Sequence, residues 1–481
     1  MTITTLDAAV IASYLVSVVL LGLWTGRGNR DLAGYLLGDK RLPWWALLGS
    51  IVATETSTAT FLSVPGIAFE PHGDLRFLQL ALGFIIGRCL IVVWLLPAYF
   101  RGEILTAYEV LEVRFGGPTK RTAALLFLVS RTLGDGLRLF LTALALEKAV
   151  GLSLPVCIVL IAAVTLLYTW FGGMRSVVWN DCLQLVVYLA GGLLALWIIL
   201  DRLPEGWQQV QAFAAENGKW RMFDWDWQLN KPFTFWAGLV GGACLSLGTH
   251  GTDQMMVQRL LAARSQRDAA RALVCSGVVV FVQFGLFLLI GVSLACYFRQ
   301  FPPPVPIARG DEAFATFIVG HMPPGVGGFT LAAVLAAAMS TIASSLNSSA
   351  AVAVNDLGPR LGLGNLSAAA RLVWCRRITV LFCLLQIGVA LAARYYSNSV
   401  VNDALAIAGF VTGILLGVFL LGVLTTSVRQ GAAAVGMVTG MVAVGVAKFG
   451  PDLAWPWYTV VGAGATFAAG ILASFASRRE R

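Results

Sequence analysis

GFTLAAVLAAAMSTIASSLNSSAAVA, residues 328–353, carries no charge over a bilayer-crossing length, and its alanine background is broken by Ser340, Thr341, Ser344, Ser345, Asn347, Ser348 and Ser349. A helix of about 20 residues spans the hydrocarbon core. Ser340, Ser344 and Asn347 or Ser348 recur at helical spacing, so they share one face. Two readings of such a stripe stand side by side. Small residues let helix backbones approach closely, whereas hydroxyl oxygens suit a hard cation such as sodium.

Composition sets the class. Hydrophobic residues make up 58% of the 481 and charged residues 12%. Mean hydropathy is +0.79, well outside the soluble range. Apolar runs of membrane-spanning length recur along the whole chain. Thirteen are expected, near 7–25, 46–68, 77–98, 122–148, 155–172, 178–200, 234–255, 272–296, 329–354, 377–394, 403–426, 433–449 and 458–476. The first is expected to be retained, because its positive charges, Arg27 and Arg30, follow the apolar stretch. That start places the N-terminus outside and, with thirteen crossings, the C-terminus in the cytoplasm. Lys and Arg then concentrate in the loops assigned to the cytoplasm, as the positive-inside rule requires. The net charge of +9 is explained by the lipid bilayer without a nucleic-acid partner. The eight cysteines lie in or beside spans and form neither a disulfide framework nor a C-x-x-C site. Two long outward loops, 201–233 and 297–328, rich in Trp, Pro and charge, read as caps over the exit of a path or as an interfacial aromatic belt.

Helices that break within a membrane release backbone carbonyls and half-helix ends to ions and solutes. The second span, WWALLGSIVATETSTATFLSVPGIAF (44–69), has Glu55 amid hydroxyls and Pro65-Gly66 beyond. The seventh, FTFWAGLVGGACLSLGTHGTDQMMVQR (233–259), has five glycines with His250 and Asp253. With the first span set aside, these are helices one and six of a series. Interrupted helices at corresponding positions point to an inverted repeat with its site at the midplane.

Four separated segments resemble the sodium:solute symporter family: GDKRLPWWALLGSIVATETS (38–57), YTWFGGMRSVVWNDCLQ (168–184), GTDQMMVQRLLAARS (251–265) and AAAMSTIASSLNSSAAVAVNDL (336–357). The resemblance extends over essentially the whole chain. It implies an all-α integral membrane protein with a LeuT-like five-plus-five inverted repeat. The chain would be a single transporter domain, 1–481, with an extra helix at 7–25, repeats at 46–200 and 234–426, and two further helices at 433–476. It also implies inward solute movement across the cell inner membrane, driven by the sodium ion gradient.

By the same resemblance, the principal sodium site uses Ala53 and Thr56 carbonyls of the broken helix with Ala337, Ser340 and Thr341 of the stripe helix. Asp181 matches an acid that serves a second sodium in members moving two, and Ser344 is its expected partner. Ala343 departs from those members, which often carry a hydroxyl there. Glu55, Ser57, Thr60 and Gln79 fall at substrate-facing positions. Arg138 lies near the position where sialic acid symporters of the family use an arginine. His250 lies where sugar-transporting relatives place an aromatic residue.

The residues add their own reading of the solute. Arg131, Asp135 and Arg138 lie on one helix face and suit either an internal ion ladder or a cavity. A planar guanidinium grips a carboxylate in bidentate fashion, which favours Arg138 as the anchor of an acidic small-molecule solute. Uptake of a carboxylate or acidic sugar is therefore preferred, and uptake of a neutral sugar or amino acid is the alternative. An integral-membrane enzyme is disfavoured, since the three histidines form no acid-base or metal cluster.

Overall fold

The computed structural model describes residues 4–27, 31–303, 306–396, 398–450 and 452–479. Arg30, Pro304 and Val305, used in the sequence reading, lie outside them. A helix occupies each of the thirteen apolar stretches. The stretches 155–172 and 178–200 lie in one 49-residue helical run, Leu154–Arg202, interrupted at Gly173. Both expected caps carry short helices, Gly206–Glu216 and Gly310–His321.

The first broken helix consists of Trp44–Glu55 and Thr58–Phe69. Its break is a turn of extended backbone, with Thr56 at φ −83°, ψ 94° and Ser57 at φ −85°, ψ 169°. Ser57 Oγ accepts from the Thr60 N–H and caps the outer half. The two halves diverge by 62°. The second broken helix consists of Gly242–Gly251 and Gln254–Leu261, preceded by a widened turn at Ala237–Gly241. Asp253 caps its inner half by accepting from Met255 N–H.

The stripe helix, Val326–Val352, runs unbroken through the centre, and Thr330–Val352 are all buried. A helix enclosed by protein on every side has no lipid face, which is why its sequence is alanine and serine rather than leucine. Its start is fastened by the N-terminal helix Thr5–Thr25: Asp7 Oδ1 accepts from Gly325 and Gly328 N–H groups, each at 2.7 Å. A carboxylate there satisfies two orphan donors and faces the positive end of the helix dipole. Gly328 permits the approach, since a Cβ on it would stand 2.5 Å from Asp7 Cα.

At one end of the helices, the buried Lys219 donates to the carbonyls of Ala68 (2.9 Å), Glu70 (2.8 Å) and Gly73 (3.1 Å), tying the 201–233 segment to the second half of the first broken helix. Burial lowers its pKa, partly offset by Asp74 and Glu70.

Gly173 sits at φ 54°, ψ −151°, a region open almost only to glycine, where another residue costs about 1–3 kcal/mol. A Cβ there would also meet the Tyr35 carbonyl oxygen at 2.4 Å. Gly173→Ala is expected to lower the thermal unfolding midpoint of the purified protein. An unchanged midpoint would contradict this account of the bend.

Candidate ion and solute site

The break in the first helix leaves carbonyls facing the stripe helix. Ser340 Oγ donates to the Ala53 carbonyl at 2.8 Å and to Ala337 at 3.1 Å. Thr341 Oγ1 donates to the Thr54 carbonyl at 3.2 Å and to Ala337 at 3.3 Å. Ala53, Ala337, Ser340 and Thr341 are thus brought together, all buried. The Thr54 carbonyl joins them, which the sequence reading did not anticipate. Thr56 stands at the break, but its hydroxyl turns elsewhere, donating to the Val52 carbonyl at 2.9 Å and accepting from Gln283 Nε2 at 2.7 Å. Its carbonyl accepts no hydrogen bond from the stripe helix among the described residues. Three carbonyls and two hydroxyls, none charged, form a donor set suited to a hard monovalent cation, with hydroxyl protons free to rotate away as the ion enters.

One turn further along the stripe helix, Asp181 and Ser344 also come together, with a third party between them. Arg259, from the inner half of the second broken helix, places Nη2 against Asp181 Oδ2 at 2.9 Å, against Thr54 Oγ1 at 2.5 Å, and against Ser344 Oγ. Its Nε donates to Ser50 Oγ at 2.7 Å. Ser50 in turn donates to Asp181 Oδ2 at 2.5 Å.

The residues expected to face solute separate into two groups. Glu55 is ion-paired with Arg88 and lies 3.4 Å from His250 Nε2. Arg88, wholly buried on helix Leu78–Trp94, also donates to Ser276 Oγ at 2.6 Å. His250 Nδ1 lies 3.0 Å from Thr249 Oγ1. Glu55 and His250 therefore belong to a polar knot joining the two breaks, and Glu55 does not neutralise Arg138. The sign of Arg88 was in the sequence, as a single charge inside LGFIIGRCLIVVW. Gln79 spends its amide on the outer cap, accepting from Asp224 N–H at 3.0 Å and donating to the Phe233 carbonyl at 3.0 Å.

Ser57, Thr60 and Arg138 form the second group. Thr60 Oγ1 is 3.4 Å from Ser57 Oγ. Arg138 Nη1 donates to Asp135 Oδ1 at 2.5 Å, and its side chain stays 39% exposed. Arg138 lines a small cleft with Ser57, Thr142 and Thr341. It also lines a cavity of about 200 Å³ with Ser130, Thr249, Thr252 and Thr412. Arg131 lines the same larger cavity but is held there by Asp253 and lies 3.7 Å from Asp135. Both readings of this helix face hold: the ladder exists, and its outermost rung opens on a cavity.

The model of the sodium:solute symporter family matches residues 35–440. The sodium/sialic acid symporter SiaT of Proteus mirabilis is 28% identical over 97% of this chain and 94% of its own length. The human sodium/iodide cotransporter is 28% identical over 93% of this chain and 71% of its own. A solved substrate-bound, outward-open Na+-coupled sialic acid symporter, described as revealing a novel Na+ site, superposes with a TM-score of 0.91 at 27% identity, covering 98% of both chains.

Replacing Ser340 or Thr341 by Ala removes one oxygen from the cluster, and loss of such a contact costs on the order of 1 kcal/mol, about fivefold in affinity. Sodium-dependent thermal stabilisation of the purified protein, which tracks the ratio of ion concentration to Kd, is expected to shift to higher sodium in both variants. Superimposable sodium titrations for wild type, Ser340→Ala and Thr341→Ala would reject the assignment.

Proposed function

The chain belongs to the sodium:solute symporter family, and from that membership we propose that it imports an anionic organic solute, a carboxylate or acidic sugar, with sodium. Sodium coupling and the LeuT-like all-α membrane fold are properties of that class, and the relatives are transporters rather than enzymes. The solute is our reading. It is carried by one observation: the Arg138 side chain is 39% exposed, against 13% for Arg131 on the same helix face, and it lines both the cleft beside Thr341 and the larger polar cavity. The named solutes of the two relatives, sialic acid and iodide, are both anions.

Sodium held by Ala53, Thr54, Ala337, Ser340 and Thr341 would fasten the break of the first helix to the stripe helix. Ser57 and Arg138 stand beside Thr341, so the fastened break presents the hydroxyl and guanidinium to solute. Ion binding then favours the arrangement that holds solute, which is the population shift symport requires. We further propose thirteen crossings of the cell inner membrane, the N-terminus outside, the C-terminus in the cytoplasm, and inverted repeats at 46–200 and 234–426. The two broken helices at corresponding places support the repeat.

A neutral sugar or amino acid is the second reading, favoured by the Asp135 carboxylate that already pairs with Arg138. A thermal-shift screen of acids, sugars and amino acids with and without sodium separates the two. Arg138→Ala is expected to weaken a stabilising carboxylate by about 2 kcal/mol, roughly thirtyfold. Arg138→Lys restores it only in part, since an ammonium lacks the planar fork. A neutral ligand whose affinity survives Arg138→Ala would overturn the anionic-solute reading and install the alternative.

A further inference from the structure

We infer that the cage around Asp181 already holds its cation, the guanidinium of Arg259, so that one sodium ion, at the Ala53–Ser340 site, binds per molecule. This rests on the sodium-symporter reading above and deepens it to a stoichiometry. The relative with a novel Na+ site makes the count a real question for this chain.

The cage is built as a cation site. Ser50 and Thr54 come from the inner half of the first broken helix, Asp181 from Leu154–Arg202 and Ser344 from the stripe helix, and each is buried. Their oxygens converge on one nitrogen face: Nη2 meets Asp181, Thr54 and Ser344, and Nε meets Ser50 at 2.7 Å. The third nitrogen, Nη1, donates to the Met255 carbonyl at 2.6 Å on the arginine's own helix. A sodium ion entering here would have to take its ligands from that guanidinium. Asp181 Oδ1 is the carboxylate oxygen left without a hydrogen bond among the described residues. The hydroxyls that would complete a shell around it are already spent on Arg259, and Ala343 adds only a methyl group. Arg259 itself is 1% exposed, and Asp181 is its ion-pair partner. Two monovalent cations in so confined a space repel, and one carboxylate balances one of them.

The placement also has a mechanical consequence. Arg259 rides on the inner half of the second broken helix and is bonded to the inner half of the first, so the guanidinium latches the two together against Asp181 and Ser344. Parting them toward the cytoplasm requires breaking that set of bonds. A resident cation that never leaves can act as such a latch without being consumed in each cycle.

The test counts sodium directly, by equilibrium binding of radioactive sodium alone to the purified full-length protein. The expected wild-type count is one. A count of two overturns the inference, whereas a count of zero strikes the sodium-symporter reading itself. In Arg259→Gln the cage loses its cation and keeps its oxygens, and the count is expected to rise to two. A folded Arg259→Gln protein that still binds one sodium would overturn the idea that the guanidinium fills a cation site. Should the single variant fail to fold, the pair Asp181→Asn with Arg259→Gln removes both charges together. The count is then expected to remain one with unchanged affinity, and loss of that sodium would show that Asp181 is a sodium ligand after all.

Discussion

A backbone carbonyl freed inside a membrane must find a partner within the protein, because hydrocarbon supplies none. Breaking the first helix at Thr56 and Ser57 leaves carbonyls in that position, and Ser340 and Thr341 reach two of them. The remaining architecture follows from keeping those partners in register. The stripe helix is central and without leucine-rich faces because it is enclosed, and its start is pinned by Asp7 from the N-terminal helix. A partner that is a rotatable hydroxyl rather than another backbone group can be surrendered to an ion. The hydrogen bonds seen between the two helices support the sodium ligation proposed above.

The same constraint governs charge. At an effective dielectric of about 20, two unit charges about 4 Å apart interact by about 4 kcal/mol, and an unpaired buried ion costs at least as much. Three acids at or beside the breaks accordingly have a matched base: Glu55 with Arg88, Asp181 with Arg259, Asp253 with Arg131. Two of these sets join the breaks to other elements. Arg88 reaches Glu55 and His250 from a third helix, and Arg259 reaches back from the second broken helix to the first. Buried pairs contribute little to stability compared with apolar packing, but breaking one is expensive. Helices joined this way part only by breaking a buried pair.

The outer face obeys a softer version of the rule. Lys219 caps the carbonyl end of the outer half-helix, and Gln79 and Arg76 hold the Asp224 segment down. Asp224 is buried and Arg76 is partly exposed, so this pair sits at the edge of the protein interior.

Much of the fold was legible in the sequence, because hydropathy and helical period are local properties. Apolar length marked the thirteen stretches, glycine with intramembrane acids marked the two breaks, and the serine stripe marked the partner of the first. Ser340 and Thr341 could be tied to Ala53 because four quoted segments carried a family resemblance. Partner choice was another matter. That Glu55 belongs to Arg88 rather than Arg138, that Gln79 serves the cap, that Thr54 offers its carbonyl beside Ala53, and that Arg259 stands between Asp181 and Ser344 all depend on rotation and depth of helices far apart in the chain. Sequence periodicity gives the face a residue occupies on its own helix. Which charge lies opposite that face is decided by packing between helices, and only the tertiary structure contains it.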